Sequence, residues 1–311
     1  MAFDITQAAD YVAGTTRRPL KDVVVETQVF QEFTMQEGIK NSEKAIDITE
    51  GSTVFRGADN TKADRFDGGV KVLDVDVSVV PMGISEKYAK YVLDKKVAGL
   101  ALKRGSSPED MPFSDIIVGL KGVAISDRIE SQVFVGDSSN ANECDGLLKK
   151  MNASSTIKIT GVVPVALTEA NALSKVNGIL SKVKSELPKF NKTEMILAMS
   201  PENFDVWYRT KFGLNGVITT QNLNTGKPVM SAYIPGTMIR VIGFYGLAGQ
   251  NEMFVTRPEN IIVGTDLKSE DGQDGINFRF STDSNSWLLD ADWKLGTAIV
   301  REEEVLYTKA S

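Results

Sequence analysis

Between Met111 and Leu148 the apolar positions recur with helical spacing: Phe113, Ile116, Ile117, Leu120, Val123 and Ala124 fall at i, i+3, i+4, i+7, i+10 and i+11. That periodicity predicts an amphipathic helix with these side chains on one apolar face. Pro112 suits a first-turn position, and Glu109, Asp110 and Asp115 set negative charge at the positive end of the helix dipole. The helix is expected to run through Asp127, Arg128 and Glu130 to Phe134 and to stop at Gly136-Asp137. Roughly 22 residues at about 1.5 Å each make a rod near 33 Å long. A polar loop follows, then the turn Asp145-Gly146 and an apolar Leu147-Leu148.

Upstream, residues 1–42 mix short helical and extended signals around a break from Gly14 to Pro19, with apolar runs too short to close a core. Residues 43–80 read as an outgoing strand (Ile46, Ile48, Val54, Phe55), a turn-rich tip at residues 57–62, a polar stretch at residues 65–69, and a return strand from Val70 to Val79. Alternation slips by one residue at Val72-Leu73, which predicts a bulge or bend. A two-stranded ribbon is barely stable alone, so a partner surface is implied. After Pro81, residues 82–104 read as one helix with Tyr88, Tyr91, Val92 and Val97 on its apolar side and a Glu86–Lys90 pair one turn apart.

Downstream, residues 155–166 are strand-like, and Thr168 is expected to cap a helix to Leu187 that Pro188 ends. EMILAM (194–199) is a buried-strand signal, and Ser200-Pro201-Glu202 starts a helix carrying Phe204, Trp207 and Tyr208. The last third is rich in strand candidates: residues 236–244, 253–256, 261–263, 276–280, 287–293 and 298–308.

Composition narrows the chemistry. The 311 residues are 42% hydrophobic and 24% charged, ordinary for a soluble globular protein with an ample core. No apolar run approaches the roughly 18 residues that span a bilayer, and the first residues lack the pattern of a signal peptide. An intracellular product without membrane contact is expected. With no histidine and a single cysteine, intrachain disulfides, Cys/His zinc sites and His-dependent nucleophilic triads are excluded. Cys144 reads as a small residue in a turn. The net charge of −6 disfavours tight wrapping by nucleic acid, and the basic pairs Arg17-Arg18, Lys95-Lys96 and Lys149-Lys150 are short and solvated. No phosphate-binding glycine loop, dinucleotide fingerprint or nucleophile elbow occurs. The acidic turn Asp266, Glu270, Asp271, Asp274 fails as a calcium loop, because Leu267 falls on the first ligand place. No catalytic residue, cofactor or metal site is expected.

A long helix with an apolar-Gly-Asp stop, a polar loop and a D-G-L-L re-entry resembles the major capsid protein of tailed bacteriophages, the Hong Kong 97-type fold. VSVVPMGISEKYAKYVLDK resembles that family's lead into its spine helix, the Ser-Pro-Glu turn its axial domain, and FVTRPENIIVGTDL one of its late strands. The resemblance implies an α+β chain with an N-terminal arm (1–42), an extended E-loop hairpin (43–80) and a peripheral P domain with the spine helix (81–145). An axial A domain (146–250) and C-terminal strands shared by both domains (251–311) follow. It further implies self-assembly into hexamers and pentamers of an icosahedral virion shell enclosing double-stranded DNA, built in the host cytoplasm. Portal and separate scaffolding or decoration proteins are the implied partners. Few residues precede the E-loop, so scaffolding is expected from a separate protein or not at all. Phe55, Arg56, Lys62, Arg65 and Phe66 are the candidate assembly contacts of the E-loop. Some relatives cross-link subunits through a Lys–Asn isopeptide bond. Lys62 and Lys71 lie in the expected E-loop, but no Asn or assisting acid matches, so that chemistry is not carried over. The competing readings are an encapsulin-like compartment shell of the same fold, a β-rich phage adhesin or tail protein, and a carboxylate hydrolase.

Overall fold

A computed structural model describes residues 18–19, 27–50, 70–89, 113–187, 193–213, 220–221, 228–266, 275–281, 284 and 286–309. In chain order these form β1 (Arg18–Pro19), α1 (Gln28–Glu32), β2 (Thr34–Gln36), β3 (Ser42–Glu50), β4 (Val70–Ser78) and β5 (Val80–Ala89). Next come α2 (Phe113–Val135), α3 (Leu147–Ala153), β6 (Lys158–Ile159), α4 (Ala172–Glu186), β7 (Met195–Met199) and α5 (Pro201–Phe212). The remainder is strand: β8 (Thr220–Gln221), β9 (Pro228–Val229), β10 (Ser231–Tyr233), β11 (Ile239–Gly243), β12 (Phe254–Thr256), β13 (Ile261–Thr265), β14 (Gly275–Ser281), β15 (Ser286–Ile299) and β16 (Leu306–Tyr307).

Two sheets organise the chain. One has the order β1-β14-β15-β13-β2, with β5 also laid antiparallel along β15; the other has the order β10-β11-β7-β12-β16-β6. The fourteen-residue β15 takes in what the pattern divided into the first of two late strands, and β16 is a short remnant of the second. Every position of β7 is buried, as EMILAM requires of a central strand flanked by β11 and β12. The next residue, Ser200, caps α5 by accepting the Asn203 N–H, and Pro201 occupies the first turn. α4 starts at Ala172, not at Thr168: the Thr168 carbonyl accepts the N–H groups of Asn171 and Ala172 in a turn that precedes the helix.

The stretch expected to be a helix after Pro81 is a strand as far as Ala89; residues 90–104 lie outside the described residues. β5 pairs with β15 over ten consecutive positions, from Val80↔Leu295 to Ala89↔Ser286. Met82, Ile84, Glu86 and Tyr88 turn inward while Pro81, Gly83, Ser85 and Lys87 face out, a period of two. A long ladder supplied by β15 overrides the weak helical spacing, which local periodicity has no means to sense. Glu86 therefore pairs across space with Lys121 of α2 at 2.6 Å, and the Tyr88 hydroxyl donates to it.

The β3–β4 hairpin keeps one unbroken register from Ser42↔Ser78 to Glu50↔Val70, so the bulge expected at Val72-Leu73 is absent. The slip in pattern has another cause: Val72 stands on the outward face, in line with Asp74, Asp76 and Ser78. The strand is interrupted instead at Val79, between β4 and β5, where the chain passes from the hairpin into the sheet.

α2 spans 23 residues and ends at Gly136, whose N–H donates to the Gln132 carbonyl, in accord with the predicted rod and stop. The apolar face is buried only in part: Ile117 packs half-buried against the core, and the side chains of Phe113 and Ile116 are not among those described. Leu120, Val123 and Ala124 face solvent; Val118, Gly122, Ile125, Ile129 and Val133 form the packed stripe. The helix carries apolar residues on two faces, and one of them had to remain outside. Its C-terminal Phe134 lies at the junction of both sheets, with ring centroids 6.1 Å from Phe33, 5.0 Å from Phe244 and 6.3 Å from Phe254.

Candidate functional site

An exposed apolar stripe on α2, an exposed apolar pair on the hairpin and the structures that hold them form the candidate site. Around the spine-like α2, Leu120 is 66% and Val123 59% exposed, beside the exposed Ala124. Isolated exposed apolar residues are common, but two large ones on adjacent turns of one helix form a stripe. On the hairpin, Ile46 is 68% and Val72 61% exposed. Ile46 pairs with Asp74 and Val72 with Ile48, so Ile46 and Val72 are diagonal neighbours on one face of the ribbon. An exposed Lys44–Asp74 ion pair at 3.4 Å lies beside them. The opposite face turns Val75, Val77 and Val79 toward the body, where Ile39, Val77 and Val79 pack on Ile262 and Ala298.

The five residues expected to make E-loop contacts, Phe55, Arg56, Lys62, Arg65 and Phe66, lie outside the described residues, as does the whole hairpin tip. The structure places the root that carries them. The reading of the sequence missed Leu120 and Val123 as surface residues. A signal was present: Val118, Ile125, Ile129 and Val133 offer a second apolar stripe, more than one buried face needs.

Ionic contacts tie the surrounding elements together. Arg240 of β11 grips Glu32 of α1 with both terminal nitrogens and reaches Glu194 through Nε at 3.0 Å, joining the segment after the N-terminal region to the β7–β11 sheet. The side chain of Glu32 is almost fully covered, so this fork is held in a low-dielectric setting. Glu130 of α2 accepts the Gln28 N–H at the first turn of α1.

The loop after α2 is closed by two glycines, the Gly146 N–H donating to the Gly136 carbonyl at 2.8 Å. A side chain at Gly136 would strike the Cys144 carbonyl, and one at Gly146 would lie 2.6 Å from the Gly136 nitrogen. From α3, Lys149 clamps the loop's Asp137 at 2.7 Å and Asp145 at 2.5 Å. The Lys149 ammonium holds both carboxyls low, Asp145 at about 2 and Asp137 lower still. A folded-state value below the ordinary 3.8 means the stabilisation is complete above that pH and is lost as pH falls toward about 2. Amide exchange over residues 137–145 is therefore expected to accelerate, beyond its intrinsic pH trend, across that window. Lys149→Met should flatten the excess; an unchanged profile in the variant would exclude the clamp. Burial pushes the Cys144 thiol up to about 11, so it stays protonated and unreactive at neutral pH. Among the described residues no cluster of three or more Cys, Asp or Glu is placed to hold a metal, and no helix is long and apolar enough to cross a membrane. Of the acidic turn only Asp266 is described, and it accepts the Lys294 N–H at 2.8 Å.

No family model matches the chain, and no curated protein matches it. Solved structures do. A virus-like particle from Pyrococcus furiosus shares 11% identity over 95% of this chain and 98% of that one, with a TM-score of 0.52. The capsid of an empty GTA particle shares 9% over 91% and 89%, at 0.56. The procapsid of satellite phage P4, solved with its size determination (Sid) protein, shares 10% over 99% and 91%, at 0.53. Identities this low speak of fold, and they do so over nearly the whole length of each chain. With its α+β mixture of helices and mixed sheets, the chain has the Hong Kong 97-type capsid fold.

Proposed function

We propose that the chain is the subunit of a closed protein shell: the major capsid protein of a tailed phage, assembling as hexamers and pentamers around double-stranded DNA. The observation that carries this reading is the exposed apolar stripe on α2 together with the exposed Ile46–Val72 pair on the β3–β4 hairpin, in a fold shared with capsid and virus-like particles. A hairpin whose described residues pack on the body at its root has to gain further binding energy from a neighbour, and many modest contacts add through multivalency. In this reading residues 1–42 are the N-terminal arm, 43–80 the E-loop, 81–145 the P domain, 146–250 the A domain and 251–311 strands shared by both. Phe55, Arg56, Lys62, Arg65 and Phe66 contact the next subunit; a portal and a separate scaffolding or decoration protein join the virion. The role is structural, without catalysis.

An encapsulin-like compartment is the second reading, favoured by the likeness to the Pyrococcus furiosus virus-like particle. Negative-stain microscopy and light scattering of the purified chain test both. Closed shells or capsomer-sized rings are expected, and nucleic acid inside native particles separates a virion from a compartment. A chain that stays monomeric with and without its genomic neighbours would overturn the shell reading. Deleting residues 57–68 should leave a folded subunit, with unchanged circular dichroism, that no longer closes shells. Normal particles from that deletion would remove the E-loop assignment.

A further inference from the structure

Gly264 of β13 and Gly296 of β15 are direct partners in the sheet register, and the next pair on the same face is Ile262↔Ala298. The side chains of this face thus step down from Ile and Ala to bare backbone. The root of the hairpin rests on that step. A Cβ on Gly264 would lie 2.7 Å from Val77 Cγ1, 2.9 Å from Ile39 Cδ1 and 3.2 Å from Val79 Cγ1. A Cβ on Gly296 would run into the Ser78 carbonyl, with the Val79 Cα 3.2 Å away. This is where β4 ends, the Val79 N–H donates to the Asn41 carbonyl at 2.9 Å, and β5 joins the sheet one residue later at Val80↔Leu295. Neither glycine needs a left-handed backbone; what each supplies is room for another chain to lie on it.

We propose that the Gly264–Gly296 pair is a pivot that fixes the angle at which the β3–β4 hairpin leaves the subunit, and thereby the curvature of the shell. The second half rests on the shell reading above. Of the two bodies in contact, the hairpin is the less extensively packed. β13 and β15 are hydrogen-bonded within a six-stranded sheet and contribute Ile261, Val263, Leu289, Ala291 and Leu295 to the main core. Among the described residues the hairpin is held by its own two-stranded ladder, a small root cluster and a few hydrogen bonds at its base, such as the Lys294 ammonium on the Lys40 carbonyl. Added volume under the root therefore tilts the hairpin and leaves the sheet in place. The response should be graded. At position 264 a methyl meets side-chain ends of Val77, Ile39 and Val79, which take up part of the added volume; at position 296 it meets the main chain of Ser78, so the hairpin itself has to shift.

The test places spin labels at Asp74→Cys on the hairpin and Asp127→Cys on α2, both exposed, in a Cys144→Ala background. Gly264→Ala and Gly296→Ala are each compared with the parent. The inter-label distance is expected to shift slightly for Gly264→Ala and further for Gly296→Ala, with near-ultraviolet circular dichroism unchanged. Shell diameter, or the closed fraction, should change in the same order. An unmoved distance in folded variants overturns the pivot, and a moved distance with shells of unchanged size overturns its link to curvature. If Gly296→Ala does not fold, Gly264→Ala decides alone. If the parent builds no particles with or without its genomic neighbours, the shell reading fails while the distances still decide the pivot.

Discussion

Replacing Phe134 by alanine is expected to lower stability by about 3–5 kcal/mol, the range for truncating a fully buried aromatic residue. The ring is completely buried at the C-terminal end of α2. It touches Phe33, which follows α1, and Phe244 and Phe254, which belong to or flank the second sheet. Phe33 and Phe244 also stack on each other at 5.4 Å, so a cavity at Phe134 loosens three segments at once. A domain of ordinary stability has about 5–15 kcal/mol in all, so the variant should lose a large fraction of it. Chemical denaturation followed by tryptophan fluorescence measures the effect. A loss below about 1 kcal/mol would show that the site collapses to fill the cavity, and that the aromatic junction is less central than its geometry implies.

Leu120→Lys with Val123→Lys should do the opposite: leave the fold alone and abolish assembly. Both side chains are mostly in water, and lysine is a good helix former, so stability should stay within about 0.5 kcal/mol of the parent. If the stripe is covered by a neighbour, each apolar side chain contributes about 1.5–3 kcal/mol per contact, and an ammonium put in its place must be desolvated as well. That penalty recurs at every subunit of a shell, so the expected result is soluble, folded protein without particles. Thermal melts and light scattering on the same sample separate the two effects. Normal shells from the double variant would show that this face of α2 stays in solvent after assembly.

The sequence and the structure agree most closely where the information is local. The length of α2, its stop at Gly136-Asp137, the central strand EMILAM and the Ser200-Pro201 start of α5 all rest on spacing and capping chemistry within a few residues. They part where a partner comes from far along the chain. Pro81 to Ala89 is a strand because β15, some two hundred residues later, offers ten positions of pairing. Val72 breaks the alternation because it faces outward, and no property of its neighbours marks that face as outer.

The site follows the same division. From the sequence alone came a long amphipathic helix, an extended hairpin with too little core of its own, and the exclusion of histidine chemistry, intrachain disulfides and Cys/His zinc sites by count. Those conclusions need only periodicity, turn residues and composition. Tertiary structure alone decided which stripe of α2 is left in solvent, and it alone set Gly264 opposite Gly296 beneath the hairpin root. Burial and close approach are properties of two surfaces, and a linear pattern describes only one of them.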